Sequence, residues 1–251
     1  MLPGGFATSS GGGRWGAGKL PEFAQRALRH DQMEFDAALS QIWALLTNPQ
    51  YVSKISKARK MTKNHYHRDD PAFLVLQLVF LAVVTTAYGI ATASRPAHIL
   101  YEVLYQAGIN YLTLGALFST AAWMFANRFL MASGHLHEVR KDMEWQHSFD
   151  VHCNSYVVYF TWTQVVPFIL LPVLLHDGFV PQVIANVLYC IGVCAYCYTT
   201  FHGYLELPTL VRQHTFLYPA IVFTGVVILM TLTTNINLVH YAIHTTWPSY
   251  V

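Results

Sequence analysis

Five long apolar runs, separated by polar breaks, fill most of residues 72–234 of this chain. They cover 72–94, 104–127, 151–175, 182–205 and 216–234, and none contains an Asp, Glu, Lys or Arg. A membrane span needs about 20 apolar residues, because a helix rises about 1.5 Å per residue across a hydrocarbon core of about 30 Å. Every run is long enough. The third is the least uniform: it holds His152, Asn154 and Gln164, and Pro167 and Pro172 predict a kink. Spans with internal Pro and Gly that must satisfy their own backbone read as helices rather than a barrel. The expected fold class is all-α, a polytopic membrane protein with about five transmembrane helices.

A different period precedes the runs. In residues 31–47, Phe35, Leu39, Ile42, Trp43 and Leu46 recur at helical spacing, Asp31 can cap the start, and Asn48-Pro49 ends the pattern. This predicts a cytosolic amphipathic helix, too short to span, lying on the membrane surface or against the bundle. Residues 52–68 follow with six Lys/Arg and no acid, completing a segment 31–71 ahead of the transmembrane domain 72–234. Residues 1–30 form an arm whose Gly/Ser-rich part is expected to be disordered. It has no apolar core of a signal peptide, so insertion is expected to rely on the first span. Residues 235–251 read as a lumenal tail.

Charge sharpens this division. Charged residues are 11% of the chain, against about 25% in soluble domains. Sixteen of the 28 lie before Pro71. A net charge of +2 is too small to argue for a nucleic-acid partner. Fourteen of the fifteen Lys/Arg fall in the arm and in loops 128–150 and 206–215, which predicts a cytosolic N-terminus and a lumenal C-terminus. Cys153, Cys190, Cys194 and Cys197 lie in apolar segments, where cysteine is a small filler more often than a ligand.

Candidate chemistry gathers in three places, all on the predicted cytosolic side. Arg68, Asp69, Asp70 and Pro71 precede the first span; Pro71 suits the first helical position, and either aspartate can cap the exposed amides. The alternative there is an ion-pair or binding site, with Arg140 or Lys141 as partner. The second cluster runs from Glu138 through Glu144, Trp145, His147 and Asp150 to His152, with His135 and His137 nearby. Carboxylates and imidazoles at helical spacing can hold a divalent metal, so an enzyme using Glu144, His147, Asp150 and His152 is the alternative function. A single Glu–His pair falls short of the matched pairs that helical carboxylate–metal sites use. The third cluster is Phe201, His202, Gly203, Tyr204 and Glu206, stopped by Pro208. No nucleophile elbow, zinc-protease motif or phosphate-binding loop is present. The expectation is a shared recognition face of Arg68, Asp69, Asp70, Glu144, Trp145, Asp150, His152, Tyr204 and Glu206, with no catalytic, cofactor or metal residue assigned.

The same stretches carry a resemblance. Gln32 to Phe35, Pro49-Gln50, Thr62-Lys63 with Arg68 to Leu76, Glu144-Trp145 with Phe149 to His152 and Asn154, Phe201 with Gly203-Tyr204 and Leu207-Pro208, and Leu217 to Pro219 follow one order and spacing. In these the chain resembles the uncoordinated-50 family of Golgi membrane proteins, over residues 31–220. The resemblance implies a non-enzymatic multi-pass Golgi protein, reported also at the inner nuclear membrane. It further implies a role in receptor transport to the cell surface and in recruiting an Arf guanine-nucleotide exchange factor. RNA binding is attributed to the family as well. Here only Lys54 to Arg68 could support it, and such a basic run more simply binds anionic lipid headgroups.

Overall fold

A computed structural model describes residues 33–131 and 143–247. Arg140, Lys141, His135, His137, Glu138 and the Asp31 cap lie outside the described residues. Two short helices come first, α1 (Phe35–Thr47) and α2 (Pro49–Lys63). Pro49 starts α2, where its missing N–H costs nothing. Asn64 ends it in the left-handed region at φ 62°, with its amide donating to the Lys60 carbonyl.

α3 (Ala72–Ala91) is apolar around most of its circumference. Phe73, Gln77, Leu81, Thr85 and Tyr88 are buried, while Val79, Phe80, Val83 and Ile90 face outward as a lipid-exposed side chain would. α4 (Pro96–Leu130) is continuous but changes pitch at the π-helical stretches Gln106–Thr113 and Ala126–Leu130. α5 (Trp145–Phe160) continues through a π-helical turn, Thr161–Val165, into Val166–Ile169. α6 (Phe179–Leu205) is followed by α7 (Tyr218–Thr233) and α8 (Leu238–Thr246). Among the described residues there is no strand, only a single bridge between Met131 and Leu210.

α3, α4, α6 and the run Gln213–Thr233 leading through α7 are long and apolar enough to cross a membrane. α5 is too polar to join them by composition, and its position explains why. It is the axis of the bundle. His147, Ser148, Asp150, His152, Asn154 and Ser155 are all buried against neighbouring helices. A helix enclosed by protein does not need a lipid-compatible surface; its polar groups need partners instead. Ser148 Oγ donates to the Ser119 carbonyl at 2.7 Å, and Ser155 Oγ meets Thr200 Oγ1 at 2.9 Å.

Close approach to this axis requires small residues. A Cβ on Gly115 would stand 2.5 Å from His152 Nε2, and one on Gly203 2.7 Å from both Val151 methyls. Pro167 and Pro172 do break the far end of α5. The helix widens at Thr161–Val165, stops at Leu170 and resumes over Leu171–Leu174. Proline there removes backbone donors and crowds the preceding turn.

Residues read as a tail fold back as α8. Asn186 and Gln182 of α6 satisfy its exposed backbone. Asn186 Nδ2 donates to the Ile236 carbonyl and its Oδ1 accepts from the Leu238 amide, both at 3.0 Å, while Gln182 Nε2 donates to the Thr234 carbonyl at 2.7 Å. Trp247 then packs at Gly89 and edge-on to His98.

α1 lies against the bundle. Its buried residues are Ala38, Ile42 and Leu45, however, rather than the whole predicted stripe. Leu39, Trp43 and Leu46 face outward, with Trp43 70% exposed.

Candidate binding site at the polar end of the bundle

The turn between α2 and α3 meets the start of α5 at one end of the bundle. Asp70 fixes the turn, its Oδ1 accepting from the Ala72 amide at 3.0 Å and its Oδ2 from the Glu34 amide at 2.9 Å. One carboxylate thereby holds the entries to both α1 and α3. Asn127 at the end of α4 anchors the start of α5, accepting from the Met143 amide at 2.9 Å and donating to its carbonyl at 3.2 Å.

Between these anchors Arg68 turns inward. Its Nη1 donates to Asp150 Oδ1 at 2.7 Å, its Nη2 to Asn154 Oδ1 and its Nε to Gln41 Oε1 at 3.0 Å. The guanidinium also stacks on Phe73, 3.8 Å from the ring centroid. Arg59 reaches the same carboxylate at 3.5 Å. The side chains of Arg68 and Asp150 are only 8% and 10% exposed. Two guanidiniums thus share one buried carboxylate. Burial lowers the Arg59 pKa, and the neighbouring Arg68 adds to that, against the pull of Asp150.

Beside the pair opens a cavity of about 490 Å³. Phe73, Leu74, Phe149 and Cys153 give it apolar walls, and His67, Asp69 and Gln146 join the polar side. Trp145 stacks on Phe149 at 5.5 Å and 12°, with its indole N–H donating to Thr120 Oγ1 at 3.0 Å. Asp69 is clasped by Lys63 at 2.7 Å and His65 at 3.4 Å. Burial alone would raise the Asp69 pKa. The Lys63 hydrogen bond and the charges around it outweigh that and hold the group below its ordinary value. Glu144 receives a hydrogen bond from His67 Nδ1 at 3.0 Å.

Arg68, Asp69, Asp70, Trp145 and Asp150 therefore line one cavity, and Glu144 touches its rim through His67. The other three expected residues do not join them. His152 is buried deeper, its Nδ1 on the Tyr196 hydroxyl at 2.7 Å. Tyr204 is buried, its hydroxyl 2.6 Å from Ser148 Oγ and its ring stacked on Phe216. Glu206 pairs with Lys57 at 3.2 Å. The quartet Glu144, His147, Asp150 and His152 is committed to four different partners: His67, the Gly203 carbonyl, Arg68 and Tyr196. Nothing in this arrangement supports a metal enzyme built on it. Sequence reasoning missed Arg59 and Gln41. The first was hidden in a basic run, the second on the polar side of an amphipathic helix.

The geometry defines a class: a polytopic helical membrane protein with a polar-lined axis and an open, charged cavity at one end. Its sequence relatives narrow that class. The chain matches the sequence profile of the UNC-50 family over residues 23–247, and it belongs to that family. It is 36% identical to "Protein unc-50 homolog" of Dictyostelium discoideum over 201 residues, 80% of this chain and 77% of the relative. It is 34% identical to "Protein unc-50" of Caenorhabditis elegans over 228 residues, 90% and 73% of the two chains. "Protein GMH1 homolog" of Schizosaccharomyces pombe is 31% identical over 200 residues, 79% and 85%. No solved structure matches.

Proposed function

We propose that this protein is a non-enzymatic trafficking factor of the Golgi membrane whose cavity face is cytosolic. Through that face it recruits an Arf guanine-nucleotide exchange factor and supports transport of receptor cargo to the cell surface. The observation that carries the reading is the cavity itself. It is open, joins apolar walls to a polar rim, and is built from the stretches around Arg68 and Asp150 that carry the family resemblance. Apolar anchor pockets with a charged rim are how proteins grip a partner's side chain.

The test fills the cavity without breaking its frame. Leu74→Trp and Gln146→Arg leave Arg68, Asp150 and Asp70 in place. Both variants should keep their membrane residence and lose recruitment of the exchange factor. Undiminished recruitment in both would sink the proposal.

A second reading concerns the adjoining surface. Lys54 and Lys57 are exposed on α2, and Trp43 and Leu39 on α1, a pairing suited to anionic lipid headgroups. Arg59 and Arg68 turn inward, which leaves less of this basic stretch for RNA than its composition suggests. Co-sedimentation with vesicles with and without phosphatidylserine would separate lipid binding from none.

A further inference from the structure

Outside the Arg68–Asp150 frame, one cluster has unused chemistry. His65 and His67 stack with ring centroids 4.2 Å apart and planes 21° apart. Each ring is held at Nδ1 by an oxygen that can only accept. His65 Nδ1 donates to the His67 carbonyl at 3.2 Å, and His67 Nδ1 donates to the Glu144 carboxylate at 3.0 Å. In the neutral imidazole the proton is then fixed on Nδ1, and Nε2 carries the lone pair. This is how metal-binding histidines are prepared: the outer nitrogen bonds a carbonyl or carboxylate, which sets the tautomer and strengthens the inner nitrogen as a ligand.

Asp69 supplies the third donor. Its Oδ1 is 3.4 Å from His65 Nε2, while Lys63 holds its other oxygen at 2.7 Å. One ligand atom from each of His65, His67 and Asp69 lies within 4.8 Å of the others. Zinc–nitrogen and zinc–oxygen bonds of about 2.0–2.2 Å in a tetrahedron place neighbouring ligand atoms about 3.3 Å apart. The His65–Asp69 distance already matches that edge, while the His67 ring, stacked on His65, must turn out of parallel with it for its Nε2 to converge on the same ion.

We infer that His65, His67 and Asp69 form a binding site for a zinc-class divalent transition metal, with Glu144 orienting His67 from outside the coordination sphere. Two imidazoles and one carboxylate make a borderline donor set that suits zinc, cobalt or copper better than calcium or magnesium. Three protein ligands leave a fourth position for water or for a group on a partner. The site links the α2–α3 turn, through His67, to Glu144 at the head of α5, on the rim of the cavity. It goes beyond the recruitment proposal and does not depend on it.

Cobalt titration of the full chain tests this. The protein is purified in detergent through a tag that contains no histidine. The expected result is one cobalt per chain with visible d–d absorption, displaced by zinc. His65→Ala and His67→Ala should each weaken binding at least tenfold. Glu144→Gln should weaken it by about ten- to a hundredfold while keeping the stoichiometry, as expected for an outer hydrogen-bond partner. His214→Ala, far along the chain in a 3-10 turn, should bind as the parent does. Because an unfolded variant would also lose metal, thermal unfolding of the unmodified chain gives a second readout: zinc should raise Tm and a chelator should reverse the rise. Absence of a cobalt spectrum and of a zinc-dependent Tm shift in the unmodified chain would overturn the assignment, as would unchanged binding in both histidine variants.

Discussion

Arg68 and Asp150, 82 positions apart, form a buried ion pair at 2.7 Å in the cavity frame, with Arg59 approaching the same carboxylate at 3.5 Å. The triad is unequal, since one carboxylate serves two cations. Removing Asp150 leaves a buried and a half-buried guanidinium without their shared carboxylate, whereas removing Arg59 leaves a neutral pair. Breaking a buried pair typically costs about 3–5 kcal/mol. Thermal unfolding in detergent should therefore rank the losses Asp150→Asn first, Arg68→Met second and Arg59→Met a distant third. Equal losses for Asp150→Asn and Arg59→Met would show that the charge imbalance does not govern this end of the fold.

The α5–α6 contact is tight at Gly203. A methyl there would meet both Val151 methyls at 2.7 Å, well inside contact distance. Gly203→Ala should destabilise by about 1–3 kcal/mol through overpacking. Val151→Ala in the same chain should restore part of the loss, because it removes the atoms the new methyl meets. A double variant no better than the single would place the strain elsewhere.

How much of this was legible beforehand depends on what each element needs from its surroundings. α3 must face lipid along one side, so its composition alone identified it. The run that becomes α5 is the least uniform of the five because of His152, Asn154 and Gln164. Those residues are polar because α5 lies inside the bundle, a fact that no single run displays. Arg68 and Asp150 each stood out as charges near a helix entry, but their pairing depends on how α3 and α5 lie together. Arg59 looked like one more cation in a basic stretch. Leu238–Thr246 was invisible as an element because it is only nine residues long and its anchors, Gln182 and Asn186, sit some fifty residues away.

That anchoring makes its own prediction. Asn186 serves the Thr231 hydroxyl, the Ile236 carbonyl and the Leu238 amide at once. Asn186→Leu keeps the volume and strands the two backbone groups, each costing about 1–3 kcal/mol if left buried without a partner. The effect should be local. Amide exchange over residues 236–247 should accelerate, while the turn at 64–71 stays protected. Uniform acceleration through the bundle would mean that α8 is integral to global stability rather than a docked element.

The direction and number of crossings can be read together from two exposed positions. Lys57 on α2 pairs with Glu206, just past the C-terminal end of α6, whereas α8 is held by Gln182 and Asn186 in the first third of that helix. A helix of 27 residues spans about 40 Å, so Lys57 and Thr245 of α8 stand near opposite ends of the bundle. The concentration of Lys and Arg at the Lys57 end predicts that this end is cytosolic. In sealed vesicles with the cytosolic side outward, Lys57→Cys should react with a membrane-impermeant maleimide without detergent, and Thr245→Cys only after detergent is added. The reverse pattern would invert the orientation. Labelling of both positions without detergent would mean an even number of crossings, with α5 entering the membrane region but not traversing it. Among the described residues, four apolar helices and one polar axis make five crossings only if α5 traverses too, and this pair of cysteines decides that point directly.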